Sequence, residues 1–117
     1  MADGVFNVAK GRVNELVDNV VNNSPANSAI VVVAVQFNAS FPTDDVLGDY
    51  DTLAAILGDA NIAEANFTNY ARVVNTDSEL SATVVDDTLN ERRADIPDIV
   101  YTNAGGVANN TLQKLIV

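Results

Sequence analysis

The sequence predicts an α+β fold: a single small domain over 1–117, with an N-terminal amphipathic helix packed on a mixed or antiparallel β-sheet. Three observations carry this expectation. An apolar stripe of helical period runs through 5–22, an unbroken β-branched run occupies 29–35, and alternating or strand-like segments follow residue 67. A chain of 117 residues is expected to form one core and bury roughly two thirds of its extended surface. No internal repeat or linker-like tract divides it.

Phe6, Ala9, Val13, Leu16, Val17 and Val20 recur at steps of three and four, which predicts a helix over 5–22 with Asn7, Lys10, Asn14, Asp18 and Asn22 largely elsewhere. Asp3 is its expected cap. Gly11 falls inside it, at a cost of about 1 kcal/mol relative to Ala, and Asn22-Asn23-Ser24-Pro25 is its stop. If Leu16 is fully buried there, Leu16→Ala is expected to cost ~2–5 kcal/mol. The run Ala29-Ile30-Val31-Val32-Val33-Ala34-Val35 reads as a strand covered on both faces. Beyond it Gln36, Asn38 and Ser40 alternate with Phe37, Ala39 and Phe41, so one face becomes wet before Pro42 ends the strand.

Thr43-Asp44-Asp45 has the composition of a helix cap or turn. Asp51-Thr52 opens a short helix at Leu53-Ala54-Ala55-Ile56-Leu57, with Gly58 at its stop. Residues 59–66 read as a loop, 67–74 as an alternating strand, and 75–95 as an exposed, irregular excursion around Thr83-Val84-Val85. Ile99-Val100-Tyr101-Thr102 reads as a strand with Pro97 at its start, Gly105-Gly106 as a turn at positive φ, and 111–117 as a last, strand-like segment. An apolar end of this kind belongs either to a docked terminus or to a chain that continues.

Composition then narrows the chemistry. The chain has no histidine, cysteine or tryptophan, fifteen asparagines, and sixteen acids against six bases for a net charge of −10. Lacking the usual acid/base, metal-binding and thiolate side chains, it reads as a non-enzyme with no cofactor and no metal. Serines 24, 28, 40, 78 and 81 have no histidine to activate them and no G-x-S-x-G elbow. The one basic pair, Arg92-Arg93, lies beside Glu91 and Asp95 and reads as a solvated or ion-paired surface turn, so no nucleic-acid partner is expected. No apolar stretch approaches the ~20 residues of a membrane span, and residues 1–20 lack the features of a signal peptide.

Asp44, Asp45, Asp49 and Asp51 are the densest acidic cluster, but they lack the glycine and terminal glutamate of a calcium loop. Capping and solubility are the expected roles there. Gly105-Gly106 matches neither phosphate-binding spacing, and Lys114 does not complete one. Arg72 must find carboxylates, carbonyls or solvent: a structural ion pair leads, with an intersubunit contact second.

Met1 to Arg12, Pro25-Ala26-Asn27-Ser28-Ala29, Phe67-Thr68-Asn69-Tyr70-Ala71-Arg72, Asp86-Asp87-Thr88-Leu89-Asn90-Glu91-Arg92, Asp95-Ile96-Pro97-Asp98 and Ala104-Gly105-Gly106 form blocks in a fixed order. Over most of the chain they resemble structural proteins of tailed bacteriophages. The resemblance implies a virion protein made in the bacterial cytoplasm, foremost a capsid decoration or cement protein bound to the major capsid protein lattice. It also implies self-association on the particle. A tail or head-tail connector component is the rival within the virion, and a small acidic ligand- or calcium-binding module using 44–51 is the rival outside it. Family members run on past the segment equivalent to Leu112–Val117, which implies that 1–117 is the N-terminal part of a longer chain.

Overall fold

In the computed structural model, residues 9, 11–38, 40, 42–107 and 112–117 are described. Asp3 and Phe6, expected at the start of the first helix, lie outside them. One main helix and several short antiparallel strands in two sheets give the α+β class expected. In chain order the elements are α1 Val13–Val21, β1 Ile30–Phe37, α2 Asp44–Gly48, α3 Leu53–Leu57, β2 Ile62–Glu64, β3 Val73–Asn75, β4 Val84–Asp86, β5 Glu91–Arg93 and β6 Lys114–Ile116. The chain divides into two compact units. Among the described residues one draws on Val32–Arg72 and Tyr101–Val117, the other on Gly11–Val31 and Val73–Val100.

The first unit is organised by β1, where Val32, Val33, Ala34 and Val35 are buried as the unbroken apolar run requires. β2 runs antiparallel to it with Val35 opposite Glu64 and Phe37 opposite Ile62; β6 runs antiparallel with Val33 opposite Ile116 and Val35 opposite Lys114. The larger sheet has the order β2-β1-β3, with β6 also on β1. Between β1 and β2 the chain forms two single-turn helices. Thr43 and Thr52 cap them by accepting hydrogen bonds from the backbone N–H of Val46 and Ala55, and each inserts one apolar residue, Leu47 and Ile56. Gly58 stops α3, but in right-handed conformation at φ −81°.

Several segments depart from expectation. α1 starts at Val13, because Gly11 takes φ +74° in a turn ahead of the helix and not within it. Its buried stripe is narrow: Val17 and Val20 are buried, whereas Leu16 keeps 40% exposure, so the large cost expected for Leu16→Ala does not apply. The expected loop at 59–66 contains β2. The expected strand at 67–74 shrinks to Val73–Asn75, because Asn69 takes φ +66° and folds Tyr70 back until its N–H donates to the Phe67 carbonyl at 3.0 Å. Apolar alternation there reflects a turn returning two aromatics to one cluster. No strand forms over 99–102, and the irregular 75–95 stretch holds the β4–β5 hairpin.

Gly105 and Gly106 do take positive φ, +144° and +101°. A Cβ on Gly106 would lie 1.8 Å from the Thr68 hydroxyl oxygen. The cause is an isolated bridge that pairs Thr68 with Gly105, in which the Thr68 N–H donates to the Gly105 carbonyl.

The burial difference along α1 makes a direct comparison. Val20→Ala should lower unfolding free energy by about 2 kcal/mol, the scale of a buried valine side chain. Leu16→Ala should cost less than about 1 kcal/mol because much of its side chain stays in water. Denaturant unfolding measures both, and an equal or larger loss for Leu16→Ala would place the apolar face of α1 elsewhere.

Candidate functional site

The β4–β5 hairpin is built by its loop residues. Asp86 ends β4, and its Oδ1 accepts hydrogen bonds from the backbone N–H of Thr88 and Leu89 at 3.0 and 3.1 Å, bending the chain at once. Asn90 takes φ +53° and delivers Glu91 into β5, closing a four-residue loop. Val84 then faces Arg93, Val85 faces Arg92 and Asp86 faces Glu91.

Adjacent strand residues point to opposite sides, so a strand packed on one face shows one buried and one exposed residue. Here Val84 and Val85 are each 63% exposed. Neither face of the ribbon at β4 is covered by the described residues, and Leu89 at the loop is exposed as well.

The base of this ribbon is fixed by polar contacts. The Asp18 carboxylate on α1 accepts from the Thr83 hydroxyl at 3.0 Å and from Arg92 Nη2 at 2.8 Å, while Arg92 Nε donates to the Thr83 hydroxyl. Arg93 pairs with Asp86 at 3.1 Å and with Glu91. Arg92-Arg93 is thus ion-paired as expected, although on a strand and not a turn. Both guanidiniums already face carboxylates, which leaves a phosphate backbone no unpaired cation at this pair.

Just before the hairpin, Thr76 and Glu79 form a reciprocal turn. The Thr76 N–H and hydroxyl both donate to the Glu79 carboxylate, at 2.7 and 2.6 Å, and the Ser78 hydroxyl adds a third donor. The Leu80 N–H donates to the Thr76 carbonyl at 3.1 Å, and this turn places Leu80 in the buried set. The hydroxyl of Thr76 foremost, then that of Ser78 and the Thr76 N–H, holds the Glu79 carboxyl down to about 2.

In the other unit the aromatics gather on the smallest residue of β1. Phe67 packs with Ala34 and Ala65 as buried neighbours, and Tyr70 and Tyr101 pack against them. Phe67 meets Tyr70 and Tyr101 edge-on, at centroid distances of 5.3 and 5.2 Å. The Tyr70 hydroxyl accepts from the Ala34 N–H at 3.2 Å and donates to Glu64 at 2.8 Å. Arg72 grips the same carboxylate in a fork, Nε at 2.8 Å and Nη2 at 2.7 Å. That is the structural ion pair expected of Arg72. It holds Glu64 below the usual carboxylate range, while burial and then the Glu64 hydrogen bond push Tyr70 up to about 12.

The acidic cluster is dispersed by its local duties. Asp44 pairs with Lys114 at 3.2 Å across to β6, and Asp44 and Asp45 sit in the first turn of α2. Farther on, Asp59 accepts from the Tyr50 hydroxyl at 2.6 Å and from the Asn61 N–H at 2.8 Å. Among the described residues, no three His, Cys, Asp or Glu side chains stand together as metal ligands. No described helix is long and apolar enough to cross a membrane. Sequence reasoning missed the hairpin because its strands are three residues long. The available signal was Asp86 and Asn90, two turn-forming residues bracketing the loop after a pair of valines.

Removing the Tyr70 hydroxyl strips the Ala34 N–H of its partner inside the core. Tyr70→Phe should therefore cost ~1–3 kcal/mol in denaturant unfolding. A loss within about 0.3 kcal/mol of zero would show that this N–H has another acceptor. Glu79 supplies a pH dependence of known sign. Its folded value lies below the ordinary 4.5, so its contribution is fully present above about pH 4.5 and disappears as pH falls toward about 2. Carboxyl NMR titration should give a midpoint near 2 that moves up in Thr76→Val; an ordinary midpoint in the unmodified chain would contradict the turn.

No family model matches the chain, and no curated protein or solved structure matches it either.

Proposed function

We propose that this chain is a structural protein of a tailed-bacteriophage particle, and that it decorates the capsid by docking to the major capsid protein lattice. The observation that carries this reading is the β4–β5 hairpin: a ribbon anchored at its base to Asp18, with Val84 and Val85 uncovered. It coincides with Asp86–Arg92, one of the blocks that resemble phage structural proteins. Two adjacent exposed valines on an anchored ribbon fit a binding element. A net charge of −10 supports solubility at high copy number before assembly and steers the protein toward basic patches.

Sedimentation of the purified protein with particles stripped of it tests the proposal. Saturable rebinding in a ratio of about one copy per capsid subunit supports decoration. Rebinding confined to tails would move the protein to the tail or connector, and no rebinding to any particle component would remove it from the virion.

A further inference from the structure

The two outer edges of the hairpin differ in kind. A strand edge presents unpaired N–H and C=O groups, which proteins normally blunt with charge, a bulge or a covering element. β5 is blunted by Glu91, Arg92 and Arg93, with both arginines tied to carboxylates. β4 carries Val84 and Val85 followed by Asp86 and Asp87, and on that side it has no ladder partner among the described residues. The charges complete the pattern. Every described cation already has a carboxylate within 3.2 Å. Among the described residues Asp87, at the loop, forms no ion pair, and the unit that contains it sets Arg12, Arg92 and Arg93 against nine carboxylates.

We infer that the β4 edge accepts an extended, positively charged segment of a partner protein as a third strand of the ribbon. This rests on the docking reading above and specifies the chemistry of the partner. Ladder hydrogen bonds supply affinity, Val84 and Val85 meet apolar side chains on the two faces, and Asp87 selects lysine or arginine at the loop end. A second copy of the chain is a poor occupant: its described cations are internally paired, its one consecutive basic pair lies on β5, and two net charges of −10 repel.

The probe is an alternating Lys-Val peptide added to the isotope-labelled full chain, with an alternating Glu-Val peptide as control. The expected result is amide shifts centred on 84–87, an affinity that falls with salt, and no response to the acidic peptide. Val84→Lys and Asp87→Lys, both at exposed positions, should each weaken binding at least about tenfold while leaving the melting temperature unchanged. Shifts centred on 44–51, equal binding of the acidic peptide, or undiminished binding by Val84→Lys would overturn the inference. So would a concentration-dependent dimer that Val84→Lys abolishes, which would give the edge to a second copy. Stripped particles separate the two proposals. If they take up wild type and Val84→Lys equally, docking stands and the edge inference falls; if the peptide binds at β4 but particles take up neither protein, the edge inference stands and the virion reading falls.

Discussion

Val32 to Val35 lie out of water because β1 has a neighbour on each side at Val35, Glu64 of β2 and Lys114 of β6, and apolar cover over both faces. A strand in that position satisfies its backbone groups through its neighbours, so whatever interrupts the ladder must supply substitutes. β2 ends at Glu64. The next rung is partly made by the Ala65 N–H, which donates to the Ala34 carbonyl at 2.8 Å, and the Ala34 N–H is taken up by the Tyr70 hydroxyl. The positive φ of Asn69 follows from this need, because only a tight reversal after Phe67 brings Tyr70 back to β1. Ala34 must also be small, since the aromatics pack directly over it.

The same economy governs charge. With so few cations, each described one ties two segments together or steadies one: Arg72 locks the end of β2, Lys114 joins β6 to α2, Arg92 fixes the hairpin to α1, and Arg93 stiffens its strands. These pairs are partly exposed, and each contributes modestly to stability. Their larger effect is on geometry. They also leave the chain with a large excess of carboxylates over cations.

Much of the fold was legible. The β-branched run marked β1, the Thr43 and Thr52 signals marked two helix caps, and Gly105-Gly106 marked a positive-φ turn because local chemistry alone determines such features. The 67–74 segment misled because alternation of apolar residues arises equally from a strand and from a turn that sends Phe67 and Tyr70 to one side. The abundance of asparagine was the overlooked signal. Asn23, Asn27, Asn69, Asn90 and Asn103 all take left-handed φ, where asparagine is tolerated far better than most residues. Two of them shape the aromatic turn and the hairpin loop. Which hydrophobic residues stay exposed was legible in part: Val84 and Val85 lie in the 75–95 stretch expected to be exposed, whereas Leu16 looks like a core residue by type and only tertiary structure leaves it uncovered.

β1 is sealed from water, and β4 is the edge proposed to take up a partner strand. Amide hydrogen exchange on the free protein and on reconstituted particles tests this contrast most directly. Val32–Val35 should exchange only through global unfolding in both samples, whereas those β4 amides that point away from β5 should exchange rapidly when free and become protected on the particle. Equal exchange at β4 in the two samples, with new protection appearing elsewhere, would place the docking surface away from the hairpin.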